Sequence, residues 1–532
     1  YMYSPESQWP GFNAFGNSCS GTWSSRDPQW TQIDELSGNL RRTQYALQQG
    51  VQKTDVAVYE SLGNAQGGGP FYDGSSITAQ GYSYQLFTPG LLTMDSAKVT
   101  NGVLNENGPA YKAMIIDNET AISVDAMKKL VEFADNGLAL VFANQLPCIS
   151  TSYTEDNTEI TALMDTLLEK ENVIHVDSTE KVGNALAQLG VVPSTDKAEQ
   201  DTSILPIHRS MEDGEIYFFY NTSEEEQSVT VTMQGDGAPF VLDTWTGEIL
   251  PLANYTTDGS TVTTTITLTG NDAILFGIGS AFGTGYDVHA VDSNTAVTYQ
   301  DGVLVAHIEQ NGSYSVQTND GKLYSEECTD VPASTPIHEW DLQVESWTSG
   351  DPNDAAVTAK DIIYHDQTEA VAWSEIPEVG KDVSGIGTYT TTFTMKNVER
   401  YGATLSFEAI GETFQVYLNR EKLPAANQVT KEIDLGGYLK EGENTLTVVV
   451  ASSLQNAVGT NGDPKEYGII GTTTISPYKV VAIQPAISPN PVDPTNPVNP
   501  SIPQTGDTNV LFGVVFAGIA GTTILTVFEK RK

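Results

Sequence analysis

Near Ile207 the hydrophobic pattern of this chain changes period, and that change limits what each side of it can fold into. Before it, short apolar runs (55–60, 111–117, 138–143 and 172–176) alternate with stretches at helical spacing (123–136, 158–171 and 179–190). Strand and helix in alternation predict a parallel sheet covered on both faces by helices, a doubly wound α/β domain over 54–206. After it, strict alternation takes over, as in 215–221, 228–234 and 261–270, with turn residues between. This predicts a small antiparallel β-sandwich over 207–280.

A linking β region follows over 281–336. A second all-β segment at 337–483, with strand-like runs at 387–395, 403–409, 413–419 and 444–451, suits a jelly roll. Upstream, residues 1–53 open as an aromatic, loop-like stretch. After Asp27-Pro28 the run 29–50 places apolar residues at helical spacing, like the end of a larger domain. The sequence as a whole reads as a multidomain α/β plus all-β protein, and 532 residues are enough for several separate cores.

The C-terminal end carries the most specific signal. Residues 484–501 are Pro-rich and favour polyproline II, which at roughly 3.1 Å per residue extends about 55 Å. Residues 502–532 follow: Ile502-Pro503-Gln504-Thr505-Gly506, then an uncharged apolar run at 510–528, then Lys530, Arg531 and Lys532. As a helix the apolar run is about 28 Å long, enough to cross a hydrocarbon core of roughly 30 Å, and the basic tail holds its end in the cytoplasm. The five-residue motif resembles the Leu-Pro-x-Thr-Gly sorting signal of Gram-positive surface proteins, with Ile for Leu. The resemblance implies a sortase that cleaves between Thr505 and Gly506, peptidoglycan as the acceptor, and a secreted protein anchored covalently to the cell wall. Pro503 keeps the segment extended and Gly506 leaves the scissile bond uncrowded.

Charge and cysteine content narrow the function. Sixty-eight acidic against twenty-six basic residues give a net charge of −42, which repels nucleic acid. Cys19, Cys148 and Cys328 are odd in number and far apart, so isolated thiols are expected rather than a disulfide framework or a CxxC metal site. The histidines are not at metal-ligand spacing, and no GxGxxG or P-loop pattern occurs. No charged, apolar leader follows Tyr1, so an exported protein is expected to have more sequence ahead of it.

In the first segment Glu6, Trp9 and Trp23 stand among further aromatics in a Gly/Ser/Asn-rich stretch. Aromatic faces beside carboxylates are what sugar rings need, because C–H faces stack on rings while hydroxyls take polar partners, and these three are the sugar-contact candidates. Simple packing at a domain edge reads the same residues equally well. No pair of facing catalytic carboxylates is identifiable.

The stretches Glu412–Asn419 and Gly442-Glu443-Asn444-Thr445-Leu446-Thr447-Val448 resemble the galactose-binding-like jelly roll attached to many glycoside hydrolases, although Arg420 stands where that pattern has Gly. Together with Leu40-Arg41-Arg42-Thr43-Gln44-Tyr45, Ile207-His208-Arg209, Trp245-Thr246-Gly247-Glu248, Gly385-Ile386-Gly387 and Tyr467-Gly468-Ile469-Ile470-Gly471, they make residues 1 to about 483 resemble the region after the catalytic barrel in α-L-rhamnosidases of glycoside hydrolase family 106. The resemblance implies that residues 1–53 are the end of a (β/α)8 barrel and that the catalytic carboxylates lie ahead of Tyr1, so that this chain alone is inactive. It also implies inverting hydrolysis of terminal rhamnose, rhamnose-containing plant or microbial glycans as substrates, and an association with calcium. The alternative from another class is a surface carbohydrate-binding or adhesive protein without catalysis.

Overall fold

The computed structural model describes residues 9–10, 24–61, 72–199, 203–354, 356–458 and 463–483. All of these lie in the first of two compact units, Tyr1–Ser488. Five parallel strands form the first sheet, in the order Val173–Val176, Ala139–Ala143, Ala113–Asp117, Val56–Tyr59, Tyr84–Phe87. Numbered along the chain this is the order 2-1-3-4-5, a doubly wound arrangement.

The apolar runs are continuous because both faces are covered. Ala57, Tyr59, Met114, Ile116, Leu140 and Phe142 point toward helices Val124–Asp135 and Asn157–Leu168, while Val56, Val58, Ala113, Ile115 and Val141 point toward Ser75–Thr78 and Val182–Gln188. Ser123 caps the first of these helices by accepting from the Ala126 N–H at 3.1 Å, and Asp156 caps the second by accepting from Thr158 at 2.9 Å. Tyr84–Phe87 is an edge strand that the apolar pattern did not announce. Its half-buried residues carry a mixed polar sequence.

Two antiparallel sheets follow. The larger has six strands in the order Val51–Lys53, Ile204–Ser210, Glu215–Asn221, Ala273–Ile278, Pro239–Leu242, Ile249–Pro251; the smaller runs Thr195–Lys197, Gln227–Gln234, Thr261–Leu268, Thr256–Thr257. Tyr217, Phe219, Phe276 and Ile278 of the first sheet meet Val229, Val231, Met233 and Val262 of the second in one core. The sandwich therefore draws edge strands from outside 207–280. Val51–Lys53 pairs with Lys53 opposite His208, and Thr195–Lys197 pairs with Thr195 opposite Met233. Both are only three residues long, too short for their periodicity to show in sequence.

The C-terminal β region is built around the strand Gly468–Ala482. It pairs with Tyr401–Gly411 along most of its length, with Thr335–Ile337, and at its far end with Val303–Ile308. Within 281–336, Ala296–Gln300, Val303–Ile308 and Thr335–Ile337 thus join a jelly-roll sheet, while Ala290–Ser293, Gly312–Thr318 and Leu323–Cys328 form a three-stranded sheet of their own. The second jelly-roll sheet has the order Thr358–Glu369, Glu339–Ser349, Gly385–Met395, Gly442–Ala451, Thr413–Leu418, Glu421–Lys422. Trp340, Trp373, Tyr389, Phe414 and Tyr467 fill the space between the sheets. Gly468 sits there at φ +105°, where a Cβ would lie 2.3 Å from the Tyr389 hydroxyl; only glycine lets the chain pass the Trp373–Tyr389 pair.

Among the described residues no helix is long and apolar enough to cross a membrane. The sorting motif and the expected span at 510–528 lie outside them, as does the Pro-rich stretch 484–501.

Candidate functional site

Of the three sugar-contact candidates, Trp9 lies among the described residues; Glu6 and Trp23 lie outside them. Trp9 is half-buried and its indole N–H donates to Thr358 Oγ1 at 3.0 Å, so its polar edge is committed to the jelly roll's outer strand. From Ser24 onward the chain continues across the same domain. Asp27 is the cap of the short 3-10 turn Pro28–Gln32 and accepts from the Gln29 N–H at 3.0 Å, with Pro28 at the first helical position, where its missing N–H costs nothing. The turn leads into helix Ile33–Ala46.

This segment is fastened at both ends. Gln29 Nε2 donates to Glu412 Oε2 at 2.9 Å, Gln32 Nε2 donates to the Val449 carbonyl at 2.9 Å, and Glu35 accepts from Gln415 Nε2 at 2.8 Å and pairs with Lys422 at 2.6 Å. All four partners belong to the jelly roll. One turn and more further on, Arg42 Nε donates to the Thr244 carbonyl at 2.9 Å and its Nη2 to the Trp245 carbonyl. Asp243 holds that tight turn by accepting from Trp245 N–H at 2.8 Å and Thr246 Oγ1 at 2.7 Å. The segments Leu40–Tyr45 and Trp245–Glu248, far apart in sequence, are therefore one contact in space.

The electrostatics at the seam are unusual. Burial raises the Asp27 carboxyl to about 7, the Gln29 N–H offsets this in part, and the nearby Glu412 adds to it. Glu412 itself accepts from Gln29 Nε2, from Ser453 N–H at 2.9 Å and from Ser453 Oγ at 3.3 Å, and Ser453 Oγ in turn lies 3.0 Å from the Tyr467 hydroxyl. Acid–base hydrolysis of a glycoside uses two carboxyls that flank the scissile bond. Here, however, Asp27 faces its own helix turn and Glu412 is saturated by donors. Among the described residues the two carboxyls lie at a seam between the N-terminal segment and the jelly roll. Asp27-Pro28 was legible as a helix start, and Glu412 as the first residue of the jelly-roll stretch, but not as a partner of the N-terminal segment.

Other candidates resolve simply. His208 is buried, stacked on Tyr217 with centroids 4.3 Å apart, and bonded to Glu215 at 2.7 Å; His175 is exposed and contacts the Asn144 carbonyl. Cys148 is exposed and Cys328 buried, and both are free thiols, while Cys19 lies outside the described residues. Among the described residues no group of three or more His, Cys, Asp or Glu side chains could hold a metal ion.

Comparison with known proteins agrees with this architecture. Residues 2–257 match the model of glycoside hydrolase family 106, described as alpha-L-rhamnosidase, so the chain carries a rhamnosidase-family, glycoside-hydrolase-like region. One solved structure similar to it is the rhamnosidase from Novosphingobium sp. PP1Y, which is 18% identical, with a TM-score of 0.57 over 86% of this chain and 42% of that one. At that identity the likeness is one of fold, and this chain spans under half of that protein's length. An exo-carrageenase GH42 from Bacteroides ovatus (13% identical, 43% and 29% of the two chains, TM-score 0.29) and a beta-galactosidase from Bacillus circulans sp. alkalophilus (12%, 47% and 45%, 0.30) match too weakly to carry an argument. No curated protein matches the chain.

Proposed function

We propose that this chain is part of a cell-wall-anchored α-L-rhamnosidase that hydrolyses terminal rhamnose from plant or microbial glycans. The observation that carries the reading is the family match over residues 2–257, which spans the N-terminal segment, the α/β domain and most of the sandwich. Inverting hydrolysis, the outcome the family resemblance implies, needs an acid and a base about 6.5–9.5 Å apart. We do not assign that role to Asp27 and Glu412, since Asp27 caps its own turn and Glu412 is bonded to Gln29 and Ser453.

In this reading the residues at hand provide support. The seam and the Arg42 clamp fix helix Ile33–Ala46 between the jelly roll and the sandwich, and whatever the helix belongs to is held at a set angle to both. The motif 502–506, the apolar run and the basic tail support attachment to peptidoglycan by a sortase.

The test is release of rhamnose from an aryl α-L-rhamnoside by the complete gene product, with proton NMR of the first-formed anomer. Appearance of β-L-rhamnose first supports inversion. Glycan binding without any rhamnose release would favour the adhesive reading instead.

A further inference from the structure

Polar bonds hold the N-terminal segment to its neighbours. Helix Ile33–Ala46 buries only Gly38, and its large side chains Leu40 and Tyr45 are 57% and 59% exposed. At the near end Gln29, Gln32 and Glu35 bond to Glu412, to the Val449 carbonyl, and to Gln415 and Lys422 of the jelly roll; at the far end Arg42 bonds to the Thr244 and Trp245 carbonyls of the sandwich. Polar bonds exchange for bonds to water at little net cost, so an element with few buried apolar contacts opens more readily than the core does. Once detached, a helix of 14 residues is marginal on its own in water.

One residue links two carboxyls across the near end. The Gln29 backbone N–H donates to Asp27 Oδ1 at 3.0 Å, and its side-chain amide donates to Glu412 Oε2 at 2.9 Å. Facing Asp27 from the jelly roll is Glu412; Glu35, next along the seam, is paired with Lys422, Arg26 donates to Ser24 Oγ, and burial keeps the Tyr467 hydroxyl beyond Ser453 protonated. Burial also raises the Asp27 carboxyl to about 7, so it is neutral in the closed seam at acid pH. A detached segment gives that carboxyl back to water, where it ionises near its ordinary 3.8. The closed form therefore holds a proton that the open form releases. Closure is favoured in full below about pH 4 and loses ground as the pH rises to about 7.

We propose that residues 27–46 form a strap that comes off the jelly roll as the pH rises, while Arg42 keeps its far end on the sandwich. Two ionised carboxyls joined through Gln29 repel each other, and the near-end bonds give way together because they share the short stretch 29–35. Arg42 lies about two helical turns further on, and its carbonyl partners do not titrate. The same segment is thus hinged at one end and clasped at the other.

The experiment is hydrogen exchange of the 532-residue chain read by mass spectrometry across this pH range, corrected for the intrinsic exchange rate at each pH. Protection of peptides covering 29–36 should fall on the order of tenfold or more between about pH 5 and about pH 7 and level off above that. Residues 47–53, beyond Arg42, and the strand Ala139–Ala143 should keep theirs. Asp27→Asn, which keeps the acceptor and cannot ionise, should hold the acid-pH protection of 29–36 throughout. Protection in 29–36 that does not change with pH, a pH dependence that survives Asp27→Asn, or an equal fall in either of the other two stretches overturns the proposal.

Discussion

Gln29 and Glu412, 383 residues apart in the chain, are joined by a 2.9 Å hydrogen bond that fastens the N-terminal segment to the jelly roll. Glu412 also accepts from Ser453, so removing it strands several donors at once. Glu412→Ala should cost about 1–3 kcal/mol in denaturant unfolding, the range for leaving buried polar groups unpaired. Combined with Gln29→Ala in a double-mutant cycle, it should give a coupling of about 0.5–1.5 kcal/mol, whereas strict additivity would show that the contact contributes nothing.

Asp27 makes the same seam sensitive to pH. Its carboxyl is raised from 3.8 to about 7 in the folded chain, so the folded state holds a proton that the unfolded state releases. Stability contributed by this group is present in full below about pH 4 and is lost as pH rises toward about 7. Once ionised, Asp27 repels Glu412. Asp27→Asn keeps the cap and removes the titration, and should flatten the pH dependence of the melting temperature between pH 4 and 7; a wild-type slope retained in the variant would show that another group is responsible.

The sequence announced the layers better than their seams. The four runs at 55–60, 111–117, 138–143 and 172–176 became parallel strands because a strand covered on both faces is apolar throughout, and that signal is local. Val51–Lys53 was grouped with the helix before it, since three residues carry no period and only the pairing with Ile204–Ser210 reveals their place. Trp9 was legible as a sugar-contact candidate and Glu412 as part of a jelly-roll strand, but not as partners of Thr358 and Gln29, because contacts between residues hundreds of positions apart leave no pattern in either segment.

Arg420 is a case where the sequence departed from a family pattern and the geometry held. Asn419 and Arg420 both adopt positive φ, 54° and 72°, in the two-residue turn that brings Leu418 opposite Glu421. Asn419 is kept there by donating to Asn444 Oδ1 at 2.9 Å and accepting from the Thr445 N–H at 3.2 Å. Among the described residues Arg420 has no such hydrogen bond, and it bears the left-handed penalty of roughly 1–2 kcal/mol. Arg420→Gly should therefore raise stability by about 1 kcal/mol, measured by denaturant midpoint; a loss would mean that the arginine side chain makes a compensating contact.

Arg42 tests whether two carbonyls need a forked donor. Lysine keeps the charge but cannot reach Thr244 and Trp245 with the same planar geometry. Arg42→Lys should destabilise by nearly as much as Arg42→Ala, about 1–3 kcal/mol; full recovery with lysine would reduce the clamp to simple charge.

Anchoring is tested at Thr505, whose carbonyl is the bond the sorting reading has attacked. Thr505→Ala should move the protein from the wall fraction to membrane and medium, and unchanged wall attachment would remove the sortase from the account.

The strand Gly468–Ala482 has a mechanical consequence. It is the last described strand of the chain, and it is laced on one side to Tyr401–Gly411 and on the other to Thr335–Ile337 and Val303–Ile308. Tension drawn along its axis from the C-terminal end loads these ladders in shear, so many hydrogen bonds must fail together rather than open one after another. A molecule tugged by flow while held at that end would resist from its most densely cross-tied element.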